Sequence, residues 1–216
     1  MSIRINMAVS LDGKIAPASR KPFRLGSRAD LDRMAGHRTW ADVIVIGAGT
    51  LRAEDPPFAL SAEAAAERAA AGRSSQPAVT VVSASLALPA GRVFAGPNRT
   101  IVATTTTAPE LPAGTAEQAD VWRLGTERVD LEALAARLRE TGYERILVEG
   151  GGGLAAGFFA RDLVDEIYLT LTPWLIGGDG APSICAGQEG LPAPGRFLLT
   201  AIEPGAEEVF LTYRRR

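Results

Sequence analysis

The clearest pattern opens the chain. Ile3–Val9 alternates apolar with polar positions and is followed by Asp12-Gly13, which predicts a first strand and a turn. Ser27 has the character of a helix N-cap, with Asp30 in the first turn and Leu31, Met34 and Ala35 on one face, so a helix is expected to about Arg38. Asp42–Gly47 is a β-branched run closed by glycine, the pattern of a strand buried on both faces. Ala48–Pro56 then predicts a short helix or turn that the double proline ends. Residues 61–73 have high helix propensity but only alanine to bury, so a weakly held, mobile excursion is expected. Ala78–Val82 and Arg99–Thr104 are two further buried strands, and Val121–Leu124 is a shorter one. Asp130 caps a helix carrying Leu131, Leu134, Ala135 and Leu138 at helical period, ending at Gly142.

Arg145–Glu149 is the next strand, and it runs into Gly150–Gly153 and a helix from Leu154 to about Arg161. Glu166–Thr172 alternates, Gly177–Gly180 is a loop, and Arg196–Ile202 with Glu208–Tyr213 predicts a closing antiparallel pair. Strands alternate with helices for most of the length and then stand alone. That order specifies an α/β fold: a mixed, mainly parallel sheet covered on both faces and finished by antiparallel strands, in a single domain over residues 1–216.

Composition narrows the chemistry. Of the 216 residues, 23 are Lys or Arg and 25 are Asp or Glu, a formal net charge of −2 that argues against a general nucleic-acid binder. Hydrophobic residues make up 46%, which excludes a disordered chain. One cysteine, Cys185, and one histidine, His37, cannot build a zinc cage, and the His-x-Glu and Pro-Cys-x-x-Cys pair of a zinc deaminase is missing. No metal is expected. No Gly-x-Ser-x-Gly elbow occurs, which speaks against a serine hydrolase. The N-terminus lacks the pattern of a signal peptide and no apolar stretch is long enough to span a bilayer, so the expectation is a cytoplasmic protein without a membrane partner. The cations comprise 21 Arg and only two Lys, Lys14 and Lys21. A single arginine therefore says little here, and a lysine says more.

Three segments fall at predicted strand ends, where ligands collect in open α/β sheets. Glu149 followed by Gly150, Gly151, Gly152 and Gly153 predicts a phosphate cradle at a helix N-terminus, against a tight turn that two glycines would satisfy. The Glu149 carboxylate is expected to meet a bound ligand. In Ser10–Ile15, Lys14 either holds a phosphate or polarises an imine or carbonyl, or it simply faces solvent. In Gly47–Thr50 with Glu54 and Asp55, a ligand contact and a tight turn capped by acids are equally compatible with the spacing.

Together these segments resemble the riboflavin-biosynthesis pyrimidine reductases, found also as the C-terminal half of bifunctional deaminase–reductases. The resemblance rests on Ser10–Lys14, Arg38 through Gly47–Thr50, Ala53–Pro56, Leu147–Gly152, and Leu163–Glu166 with Gly177-Gly178, in that order over nearly the whole chain. It implies a dihydrofolate-reductase-like three-layer fold, a homodimer, and NADPH-dependent reduction of 2,5-diamino-6-ribosylamino-4(3H)-pyrimidinone 5′-phosphate to the ribitylamino product. Carried over by motif, Thr50, Glu54 or Asp55, and Gly150–Gly153 contact NADPH. Lys14, Ser27, Arg38 and Glu149 contact the phosphorylated pyrimidine, with Lys14 and Glu149 orienting it for hydride transfer. The chain departs from the family pattern at Ser83-Ala84 and at Pro57–Ser61. A reductase of another heterocycle such as a pterin, and a catalytically silent binding relative, are the alternative readings.

Overall fold

The computed structural model describes residues 1–19, 21, 23–186 and 191–216. Its elements begin with β1 (Ser2–Val9), α1 (Arg28–Trp40), β2 (Val43–Gly47), α2 (Ala48–Glu54), α3 (Ala62–Ala70), β3 (Ala78–Val82), α4 (Arg92–Ala95) and β4 (Thr100–Thr104). They continue with α5 (Ala113–Ala116), β5 (Ala119–Arg123), α6 (Leu131–Glu140), β6 (Arg145–Glu149), α7 (Gly152–Ala160), β7 (Glu166–Leu171), β8 (Phe197–Pro204) and β9 (Val209–Arg215). Two compact units are described in turn: residues 37–147 with Met1, and residues 2–36 with 148–216.

In the first unit the strands run β5-β4-β3-β2, all parallel, with the start of β6 beside β2. Val43–Ile46 and Ala78–Val81 are buried at every position, as β-branched runs covered on both faces must be. One apolar cluster joins Ile44, Ile46, Leu51, Val79, Val81 and Phe58. Phe58 lies within the departure from the family pattern at residues 57–61 and is buried in this cluster. Asp130 caps α6 by accepting from Glu132 N and Ala133 N, both at 3.0 Å, and α6 buries Leu131, Leu134, Ala135 and Leu138.

The 61–73 segment differs from its expectation. It forms a helix capped by Ser61, and two arginines, Arg68 and Arg73, tie it down. The Arg68 side chain is buried and donates to the carbonyls of Thr39, Ala41 and Ser74. Arg73 donates to the carbonyls of Thr39, Trp40 and Ala41 and to the Asp42 carboxylate. Asp42 in turn accepts from the backbone amides of Glu144 and Arg145 at the start of β6. Burial pushes the Asp42 carboxyl up, but the Arg145 side chain and these amides outweigh it and leave the group below its ordinary value.

In the second unit β1 pairs parallel with β7, β9 runs antiparallel to β7, and β8 runs antiparallel to β9 as the edge strand. The alternation read in β1 holds residue by residue, with Ile3, Ile5, Met7 and Val9 buried. The predicted closing pair is β8 and β9, with a register shift between Leu199 and Ala201. Trp174 is 47% exposed; its ring meets Phe23 edge-on at 5.2 Å and its Nε1 donates to Leu25 O.

The start of α7 needs a correction that bears on the site. The helix begins at Gly152, two residues before the predicted Leu154. Gly150 and Gly151 alone form the turn, at φ of +76° and +84°. Gly152 and Gly153 are its first helical residues, not part of an open ribbon.

Candidate active site

Within the second unit, one segment, residues 181–186, meets both Lys14 and the start of α7. The Lys14 ammonium donates to Ala181 O at 3.3 Å, and Ile15 N donates to Pro182 O at 2.9 Å. Lys14 also forms an isolated antiparallel bridge with Ser183. At the other side of the segment, a Cβ at Gly152 would overlap the Ser183 carbonyl oxygen and lie 2.9 Å from Ala186 Cβ. Gly152 is therefore a residue of close backbone approach. Three of the four glycines thus have conformational reasons of their own, two from positive φ and one from packing. Only Gly153 is surplus: a Cβ there would make an ordinary 3.5 Å contact with Ala186 O.

The same turn leaves α7 suited to an anion. Its N-cap is Gly151, and among the described residues no side chain caps it. The first amides of a helix carry partial positive charge and lack intrahelical partners. A nine-residue helix opening on glycine therefore fits the diphosphate of a nicotinamide dinucleotide, with Gly153 leaving its surface bare.

Glu149 ends β6 immediately before this turn and is buried, at 7% exposure. Near it lie two further acids. Asp30, in the first turn of α1, folds back against Gly26, where any Cβ would strike its carboxylate. Burial raises the Asp30 carboxyl above its ordinary value. The charges of Glu208 and Glu149 add to that, while a hydrogen bond with Thr170 and the charge of Arg33 oppose it. Glu208, 5% exposed, accepts from Ser27 N and from Ser27 Oγ, each at 2.7 Å. Ser27 also caps α1, its Oγ accepting from Ala29 N at 3.1 Å and Asp30 N at 3.4 Å. Ser27, Asp30, Glu149 and Glu208 thus form one polar group. Asp30 entered the sequence reading only as a first-turn acid and Glu208 only as a strand residue. Nothing local distinguishes Glu208 from the chain's other carboxylates. Among the described residues no group of three or more His, Cys, Asp or Glu is placed to hold a metal ion.

The remaining candidates belong to the first unit. Arg38, near the end of α1, donates to Pro57 O at 2.8 Å, with its guanidinium 5.0 Å from the Phe58 ring centroid. Thr50 is half-buried on α2 and Glu54 is the exposed last residue of that helix. Asp55 follows in the left-handed region at φ +40°. Its carboxylate accepts from Arg92 N at 2.9 Å and so caps α4. At Ser83-Ala84, the other departure, Ser83 Oγ accepts from Leu86 N at 3.1 Å and closes a turn.

Comparison with known proteins places this architecture. A family model described as the RibD C-terminal domain matches residues 1–210. The chain is 37% identical over 187 residues, 85% of each chain, to the 2,5-diamino-6-ribosylamino-4(3H)-pyrimidinone 5′-phosphate reductase of Archaeoglobus fulgidus. Among solved structures, a pyrimidine reductase-like protein from Corynebacterium diphtheriae superposes with a TM-score of 0.84 at 22% identity, covering 99% of this chain and 91% of that one. Dihydrofolate reductase from Enterococcus faecalis superposes with a TM-score of 0.54 at 19% identity, covering 99% and 96%. The fold is dihydrofolate-reductase-like, and the chain belongs to the RibD C-terminal domain family.

Proposed function

We propose that this protein reduces 2,5-diamino-6-ribosylamino-4(3H)-pyrimidinone 5′-phosphate to the ribitylamino compound in riboflavin biosynthesis, with NADPH as the reductant. The observation that carries this reading is that one short segment both accepts the Lys14 ammonium and packs against Gly152 at the start of α7, in a chain so similar to a reductase named for that reaction. Bound NADPH supplies hydride to the sugar C1′. The chain's own residues bind and orient. The amides opening α7 hold the diphosphate, and Thr50 with Glu54 or Asp55 makes further cofactor contacts. Lys14 gives the substrate a fixed positive charge, with one of its three donors spent on Ala181 O. Glu149 orients the pyrimidine, and Ser27 and Arg38 complete its contacts. Holding the reacting atoms in register supplies several kcal/mol of the barrier.

The protein acts as a cytoplasmic homodimer in this reading. Edge strand β8 leaves Leu198, Leu199 and Ile202 exposed, apolar surface at a sheet edge that suits a second copy. Among the described residues no helix is long and apolar enough to cross a membrane. The test is loss of reduced-nicotinamide absorbance with the pyrimidine phosphate, run beside a dihydropterin and with NADPH against NADH. Turnover of the pyrimidine phosphate with NADPH is expected; turnover of the pterin alone, or of neither, overturns the assignment.

A further inference from the structure

Asp12 sits in an Asp-Gly turn, where an aspartate ordinarily bonds backbone amides a residue or two along. Here its long-range partners lie 164 and 165 residues away. Asp12 Oδ1 accepts from Ile176 N at 3.1 Å and Oδ2 from Gly177 N at 2.7 Å. Gly177 and Gly178 take φ of +65° and +81°, a left-handed pair that brings the chain round so that Ala181 N reaches Gly178 O at 3.1 Å. Three residues beyond Gly178 is the Ala181 carbonyl that receives the Lys14 ammonium. The circuit closes through Ser10, which is fully buried. Its Oγ donates to Asp12 Oδ1 at 2.6 Å and accepts from Lys14 N at 2.9 Å. Asp12 and Lys14 are thus joined twice, once through Ser10 and once through residues 176–181.

We infer that Asp12 is a positioning residue for the reduction: clamped on the amides of Ile176 and Gly177, its carboxylate fixes the segment that aims the Lys14 ammonium and lies against the start of α7 at Gly152. The inference rests on the proposed role of Lys14. The clamp needs a carboxylate, because both oxygens accept from amides and one also accepts from a hydroxyl. An asparagine offers one acceptor and turns its NH2 toward a donor. The hydrogen bonds from Ser10, Ile176 and Gly177 hold the Asp12 carboxyl down to about 2, so the clamp stays charged across the range in which the protein is handled.

The chain's composition offers a direct readout. It contains two lysines, so reductive 13C-methylation of the intact protein gives separate NMR signals for Lys14 and Lys21 beside the α-amino group. In Asp12→Asn the Lys14 signal should move while Lys21 stays. Turnover should fall by about 100-fold, the cost of an ångström-scale misplacement. Asp12→Glu, which keeps the charge, should recover most of that loss. If Asp12→Asn does not fold, Ser10→Ala cuts the other arm of the circuit and is read the same way. A Lys14 signal and a kcat that both match wild type overturn the inference. If wild type does not turn over the pyrimidine phosphate, the assigned reaction falls, and the Lys14 signal still decides whether the clamp exists.

Discussion

Alanine placed in turn at Gly151, Gly152 and Gly153 separates what the fold needs from what a ligand needs. At Gly151, φ of +84° puts an L side chain in the left-handed region, which costs about 1–2 kcal/mol. At Gly152 the added carbon overlaps Ser183 O and lies 2.9 Å from Ala186 Cβ and 3.1 Å from Ala186 N. The neighbouring Pro182 carbonyl is held by Ile15 N, so the strand of chain cannot swing aside cheaply. Overpacking of this kind costs about 1–3 kcal/mol. At roughly 2–4 °C per kcal/mol for a chain of this size, both variants should melt several degrees early. Gly153→Ala meets only a 3.5 Å contact with Ala186 O and adds helix propensity, so it should be neutral or up to about 1 kcal/mol more stable. Its Cβ nevertheless stands at the opening turn of α7, where the diphosphate is proposed to lie. A firmer fold with weaker NADPH binding is therefore expected. Urea unfolding and NADPH quenching of tryptophan fluorescence read the two quantities separately. A Gly152→Ala protein as stable as wild type would refute the close approach. Unchanged NADPH affinity in a stable Gly153→Ala would remove the diphosphate from this turn.

Two further predictions follow from buried polar groups. Thr80 is fully buried on β3 and its Oγ1 has no hydrogen-bond partner among the described residues, so Thr80→Val should stabilise by about 1 kcal/mol; a lower melting temperature overturns this. Asp30 binds its proton more tightly folded than unfolded, so its contribution to stability falls as pH rises from near 3.8 through its raised value. The urea midpoint of Asp30→Asn should gain on wild type between pH 4 and pH 7, and a constant gap would show that burial and the neighbouring acids do not raise the Asp30 carboxyl.

The sheet was legible because its strands carry strong local signals. The β2, β3, β4 and β6 segments are β-branched runs, and β1 alternates cleanly. Where the signal was weak the boundaries moved. β5 starts at Ala119, before the expected Val121, where Ala119-Asp120 carries no apolar pattern, and α7 starts in glycines that sequence reasoning counts against a helix. Short α4 and α5, four residues each, lie below what periodicity can register. Arg68 reads as solvent-facing, yet it is buried because three carbonyls converge on it, a demand set by the fold and not by its neighbours in sequence. Lys14 and Glu149 stood out through rarity and strand-end position. Glu208 did not, because its partner Ser27 lies 181 residues away.

The rarity of lysine acquires a physical reason at position 14. A guanidinium is a planar fork that suits paired acceptors, and this chain uses it so at Arg68 and Arg73. The space beside residues 181–186 offers something else: one carbonyl, Ala181 O, at 3.3 Å from a compact ammonium, with Ser183 bridged to the same residue's backbone. A point charge with rotatable donors can bond that carbonyl and still turn toward a ligand, whereas a planar fork fixes its donors in one plane. That segment lies against Gly152 on its other side, where even a methyl group does not fit. The requirement for lysine at 14 and the requirement for glycine at 152 are therefore two faces of one constraint, the fixed path of six residues that a local reading of either motif leaves out.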